Sequence, residues 1–62
     1  MSKSNDNEAL SRALLRYGDI VADVSTVEAD HAERRIRCIL YKGHVYFHHM
    51  LNGELIEVYM LL

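Results

Sequence analysis

The first third of the chain carries apolar residues at the spacing of an amphipathic helix. Steps of one, three and four residues separate the members of one apolar stripe, which are Ala9, Leu10, Ala13, Leu14 and Tyr17. Asn5 or Asp6 is a suitable N-cap, and Gly18 is placed to end the helix in the left-handed conformation. We expect a helix of about three turns that begins near Glu8. Residues 1–7 are polar and lack apolar periodicity, so we expect a disordered tail there.

From Asp19 onward, apolar and polar residues alternate, which is the pattern of β-strands. The dipeptides Lys42-Gly43 and Asn52-Gly53 separate the later strands, and Asn-Gly favours a two-residue hairpin turn because both positions adopt positive φ. Four strands are predicted, near residues 19–27, 34–41, 44–51 and 54–61. The chain is therefore expected to form a single α+β domain over residues 8–62, in which one helix packs on a four-stranded antiparallel meander (αββββ).

The two short turns also predict which side chains share a face of the sheet. With two-residue turns, Phe47 pairs with Cys38 on one side and with Val58 on the other. The face that contains these residues is apolar at nine of its ten positions, which are Ile36, Cys38, Leu40, Val45, Phe47, His49, Leu51, Ile56, Val58 and Met60. We expect the helix to cover this predicted core face.

The opposite face of the predicted sheet is also rich in apolar and aromatic side chains. Seven of its twelve residues belong to these classes, namely Ile39, Tyr41, Tyr46, Met50, Leu55, Tyr59 and Leu61. Because a sheet face in contact with water is normally polar, we predict that these seven form an interaction surface. Arg37, His48 and Glu57 lie in one cross-strand row of the same face, and we expect them to set its register and specificity. A histidine in that row predicts association that depends on pH between about 5 and 7.

Composition narrows the class of protein. The chain has 62 residues, half of them hydrophobic, a net charge of −2, one cysteine and no proline. Such a chain is too apolar to be disordered, has no intrachain disulfide and contains no apolar run long enough to cross a membrane. Domains of this size are marginally stable alone, so we expect a homodimer, joined face to face or edge to edge.

Candidate catalytic and metal-binding groups are scattered in this arrangement. The chain has four histidines and Cys38, but His44 and His48 lie about 13 Å apart along one strand, too far for one zinc ion. We predict no metal and no cofactor, although the pattern leaves open whether His48, His49 or Cys38 binds a metal. No histidine is expected near Ser11, so no nucleophile–base pair is predicted and the protein is expected not to be an enzyme.

Together these features predict a small cytoplasmic protein-binding module that acts as a homodimer. Its size is typical of inhibitors or adaptors from phage, mobile elements or accessory bacterial genes, and we expect another protein as its partner. The alternative is an RNA- or single-stranded-DNA-binding regulator that uses the Arg/Tyr surface of Arg35, Arg37, Tyr41 and Tyr46. An isoelectric point near 6.0 argues against that alternative. Salt distinguishes the two, because nucleic-acid binding weakens steeply as salt rises.

Overall fold

The computed structural model describes the backbone of residues 2–62 and the side chains of residues 7–62. One helix precedes a four-stranded antiparallel sheet whose strands follow in chain order, which confirms the predicted αββββ fold. The elements are α1 (Ser2–Tyr17), β1 (Asp19–Val27), β2 (Glu33–Tyr41), β3 (His44–Leu51) and β4 (Glu54–Met60).

The helix differs from the prediction at both ends. It begins at Ser2 rather than near Glu8, while disorder in residues 1–7 stays a prediction and the proposed capping side chains lie outside those described. At the other end, Gly18 follows the helix without positive φ. A β-carbon on Gly18 would collide with Ile39 Cγ2 and lie 2.6 Å from the carbonyl oxygen of Leu14. Glycine therefore allows close packing of the helix end on β2, rather than a left-handed cap.

The two predicted hairpin turns are confirmed. Lys42 and Gly43 have φ angles of 52° and 78°, and Asn52 and Gly53 have 52° and 80°. Positive φ at both central positions is the requirement of a type I′ turn, whose twist matches that of the flanking strands. The register between β2 and β3 is also as predicted, with Cys38 opposite Phe47.

The predicted register between β3 and β4 is correct only next to the turn. Leu51 pairs with Glu54 as expected, but the register then shifts, so that His49 pairs with Glu57 instead of Ile56. Ile56 is the additional residue of a β-bulge, and every residue after it changes face. A regular register would place Glu57 under the helix, whereas the bulge places Val58 there, and burying an unpaired carboxylate is far more costly than burying a valine.

The helix covers the face opposite to the predicted core face. Leu14, Ile39 and Val58 are buried together, and four partly buried residues pack against them: Leu10, Tyr41, Tyr46 and Leu55. We call this side of the sheet the helix-covered face. The prediction that α1 covers the row containing Phe47 and Cys38 is wrong. Apolar residues line both faces, so alternation alone does not say which of them the helix selects.

The other side of the sheet, which we call the open face, is uncovered in the part of the chain that the structure describes. Its apolar residues come from all four strands and the segment after β4, and they are Ala22, Val24, Ile36, Cys38, Leu40, Val45, Phe47, Leu51, Tyr59 and Leu61. Among the described residues, no helix has the length and apolar character needed to cross a membrane.

Candidate interaction surface

The residues predicted to form an interaction surface are divided between the two faces. Five of them lie on the helix-covered face, where Ile39 is fully buried and the others are partly buried: Ile39, Tyr41, Tyr46, Met50 and Leu55. The bulge moves Tyr59 and Leu61 to the open face, where each exposes nearly half of its surface. The five residues on the helix-covered face are therefore not available as an external surface. The surface that remains available is the open face, most of whose apolar residues were predicted to form the core.

The centre of the open face consists of stacked aromatic and aliphatic side chains. The rings of Phe47 and Tyr59 stack with centroids 5.0 Å apart and an angle of 28° between their planes. Val24 on β1 and Leu40 on β2 remain 56% and 40% exposed, although both side chains are large and apolar. A contiguous apolar patch of this kind marks an interaction site more often than a solvated surface.

One end of the open face is polar and organised around His49. Nη1 of Arg34 lies 2.6 Å from Nε2 of His49, and because arginine only donates, Nε2 accepts this hydrogen bond. In the neutral imidazole the ring proton then resides on Nδ1, which lies 3.6 Å from Oε1 of Glu57. Arg34 also forms an ion pair with Glu28, with Nε 3.3 Å from Oε2. These contacts hold His49 in one orientation at the margin of the apolar patch.

The predicted specificity row of Arg37, His48 and Glu57 does not form. Arg37 pairs with His48 as expected, but Val58 occupies the next position and Glu57 lies on the opposite face. His48 is completely buried beneath the helix, with Nε2 2.7 Å from Oγ of Ser11. Burial and the nearby positive charge of Arg37 lower the pKa of His48, so the imidazole is held neutral. The predicted role of His48 in association therefore has no basis, because this side chain cannot reach a partner.

Ser11 lies within hydrogen-bond distance of His48, so the expectation that no histidine lies near Ser11 is wrong. Serine and histidine within hydrogen-bond distance resemble a nucleophile and its base, but this pair is enclosed: Ser11 is 8% exposed and His48 is 0% exposed. Nδ1 of His48 has no hydrogen-bond partner among the described residues, so no third group orients the ring for proton transfer. The contact ties the helix to the sheet. A serine inside the apolar stripe, next to Leu10 and Leu14, is the sequence feature that indicates it.

Arg35, which faces the helix side of β2, is engaged by Asp23 of β1. Arg35 forms two hydrogen bonds to Asp23, from Nε to Oδ1 at 3.0 Å and from Nη2 to Oδ2 at 2.8 Å. Hydrogen bonding by Arg35 keeps the pKa of Asp23 below its usual value. Tyr41 and Tyr46 are partly buried beside the helix. These residues do not form the broad, exposed positive surface that a nucleic-acid-binding sheet presents, so the nucleic-acid alternative gains no support.

No group of three His, Cys, Asp or Glu side chains converges as a metal site requires, within the residues that the structure describes. Comparisons of the chain with protein-family models, with curated proteins and with solved structures find no match. Function therefore has to be inferred from the geometry of the surfaces themselves.

Proposed function

We propose that the protein is a non-catalytic interaction module that forms a homodimer through its open face and, as a dimer, binds another protein. The observation that carries this proposal is the two-sided apolar character of the sheet, of which the helix covers only one side. The open face holds the stacked pair of Phe47 and Tyr59 at its centre. Aromatic residues at the centre of a surface contribute most of the binding free energy in known interfaces.

The area of the open face suits a second copy of the chain. Four strands of about eight residues span roughly 19 by 26 Å, or about 500 Å² for each protomer. Two such faces bury about 1,000 Å², the lower limit for a specific protein interface. Stacking them about 10 Å apart gives a sheet-on-sheet sandwich with a helix on each outer side.

The exposed surface of the single chain also favours self-association. The accessible surface is 4560 Å², whereas a compact monomer of this mass, 7.2 kDa, exposes about 4,100 Å². The row of the open face that holds Phe47 and Tyr59 bears no charge, and Arg34 and Glu57, towards the polar end of that face, have opposite signs. A second copy therefore meets no concentrated like charge when it stacks on this face.

The dimer leaves surfaces free for the partner protein that an inhibitor or adaptor requires. In a face-to-face arrangement the helices and the outer edges of β1 and β4 remain on the outside. Edge strands can add a strand from another chain, and all nine residues of β1 are exposed.

The oligomeric state is tested by light scattering on a sizing column over a tenfold range of concentration, at low and high salt. We expect a mass near twice 7.2 kDa that does not change with salt, since apolar burial rather than charge holds the protomers together. A folded monomer at every concentration would contradict the proposal.

The face that joins the protomers is tested by two matched substitutions. We expect Tyr59→Ala to weaken the dimer by about 2 kcal/mol or more, because a central aromatic side chain is lost. Tyr17→Ala serves as the control, since Tyr17 is an exposed tyrosine on the helix. Dissociation constants come from sedimentation equilibrium, with circular dichroism to confirm the fold. Equal effects of the two substitutions would place the interface elsewhere.

A further inference from the structure

A cleft of about 370 Å³ opens at one end of the sheet. Most of the residues that line it belong to the helix-covered face, and Thr26 and Arg34 of the open face complete its wall. Its walls include Ser25 and Val27 of β1, Arg35 and Arg37 of β2, Met50 of β3 and the turn residue Gly53. The volume lies at the lower end of the range of about 300–1,000 Å³ for small-molecule sites. Apolar side chains, the hydroxyl of Ser25 and the guanidinium groups of Arg35 and Arg37 thus meet in one concave surface on the side of the sheet that the dimer proposal leaves unused.

The guanidinium of Arg37 has hydrogen-bonding capacity that the described residues do not fill. Its side chain is only 12% exposed, and its Nε is buried without a hydrogen-bond partner among residues 7–62. Nη1 donates a hydrogen bond to the sulfur of Met50 at 3.8 Å, and a thioether sulfur is a weak acceptor. Leaving donors of a charged group unpaired in a protein is costly, so an acceptor from outside is expected to be favourable here.

The nearest carboxylate does not meet this need. Both oxygens of Asp23 accept hydrogen bonds from Arg35, which leaves Arg37 with an ion pair whose Nε–Oδ2 distance is 3.6 Å. Two guanidiniums therefore share one carboxylate. Glu33 also lines the cleft and is exposed. The carboxylate of Glu33 offsets part of the positive charge of the arginines in the cleft. The cleft therefore suits a ligand with one negative charge better than a dianion such as phosphate.

We propose that this cleft binds a carboxylate group that carries an apolar substituent. The carboxylate accepts hydrogen bonds from Arg37 and from the hydroxyl of Ser25, and a planar guanidinium matches the two oxygens of a carboxylate. The apolar substituent lies against Val27 and Met50. A free organic acid and the C-terminus of a peptide that ends in an apolar residue present the same chemistry to the cleft.

Arginine Nε–H resonances in nitrogen–proton NMR spectra report directly on this contact. The full-length protein, labelled with ¹⁵N, is titrated with butyrate and with N-acetyl-glycyl-leucine. Butyramide, N-acetyl-glycyl-leucinamide and inorganic phosphate serve as controls. We expect both carboxylates to shift the Arg37 and Arg35 signals in a saturable way and the uncharged amides to leave them in place. The tighter of the two carboxylates identifies the source, small molecule or peptide.

Three substitutions are expected to differ in their effect on the affinity for butyrate. Arg37→Gln removes the principal donor and is expected to weaken butyrate binding about tenfold or more. Asp23→Asn removes the competing carboxylate and is expected to strengthen it severalfold. Arg12→Gln changes an exposed arginine of the helix and is expected to have no effect.

Saturable binding that weakens in Arg37→Gln and strengthens in Asp23→Asn would establish the site. Amides that bind as well as acids, or phosphate that binds more tightly than butyrate, would overturn it. If Arg37→Gln does not fold, weaker or unchanged binding by Asp23→Asn overturns the proposal by itself. The oligomeric state does not enter these readouts, so the cleft and the dimer stand or fall separately.

Discussion

At the scale of single residues, His48 shows how a polar group is accommodated in a very small core. The imidazole is fully buried, bonded to Ser11 through Nε2, and lacks a hydrogen-bond partner at Nδ1 among the described residues. An unfilled lone pair is less costly than an unfilled N–H, so we infer that Nε2 carries the proton and donates it to Oγ of Ser11. The ring therefore connects helix and sheet while it remains uncharged.

The neutrality of His48 has a consequence for the pH dependence of stability. Its pKa is lowered in the folded chain, so below about pH 6.5 the unfolded chain binds a proton that the folded chain does not. The contribution of His48 to the free energy of unfolding is fully present above that pH. It is lost as the pH falls, by up to about 1.4 kcal/mol per pH unit, until the pKa of His48 in the folded chain is reached. We expect urea unfolding at pH 7.5, 6.0 and 5.0 to show this decline.

Two variants test whether His48 causes this loss of stability at low pH. His48→Gln retains a side chain that can bond to Ser11 but does not titrate, so the decline between pH 7.5 and 5.0 is expected to become shallower. His44→Gln changes an exposed histidine and is expected to leave the slope unchanged. A slope that stays the same in His48→Gln would show that other groups produce it.

At the scale of elements, the bulge at Ile56 decides which residues of β4 face the helix. Helical spacing predicted α1, and the Lys-Gly and Asn-Gly dipeptides predicted the turns and the β2–β3 register, because each of these depends on a few neighbouring residues. The bulge and the choice of face depend instead on packing between distant elements. The pattern Glu57-Val58 allows either register, and only contact with Leu14 and Ile39 favours the one that buries Val58.

The same elements explain how much of the candidate surface was predictable. The rows containing Phe47 and Leu40 were correctly predicted to be apolar. They were wrongly assigned to the core beneath the helix. Tyr59 and Leu61 were predicted to lie in an interface. They lie on the open face because of the bulge, which the prediction did not include. When both faces of a sheet are apolar, the two-residue alternation shows which residues share a face but does not show which face the helix covers.

Alanine substitutions on β4 test the bulge directly. Val58→Ala removes two buried methyl groups next to Leu14, and we expect a loss of about 2 kcal/mol in the free energy of unfolding. Ile56 is half exposed at the bulge, so Ile56→Ala is expected to cost less than about 0.5 kcal/mol. Urea unfolding at one protein concentration measures both. Similar losses would show that the two side chains lie on the same face of the sheet, as a regular register requires.

At the scale of the whole molecule, the described residues include three buried apolar side chains, which make a small core for one domain. Two uncovered sheet faces that stack on each other would supply the burial that one helix does not. The folded state is then a property of two chains together, and its stability depends on their concentration.

Thermal unfolding provides a simple check of this coupling. If the dimer is the stable form, the midpoint temperature rises by a few degrees when protein concentration rises tenfold, because association favours the folded state. Scanning calorimetry at two concentrations measures the shift. Tyr59→Ala is expected to lower the midpoint temperature and, once the dimer no longer forms, to abolish its concentration dependence. A midpoint that is independent of concentration in the unmodified protein would argue for a stable monomer.

The position of the helix has a consequence for how the chain matures during synthesis. α1 is made before the four strands, yet its packing partners include Val58 and Leu55 of β4, the fourth of them. Until β4 leaves the ribosome, the helix has only part of its packing surface, and the open face of the growing sheet is uncovered. Two nascent chains on one messenger RNA can meet through these faces during that interval, so pairing between chains competes with the closing of each chain on its own helix.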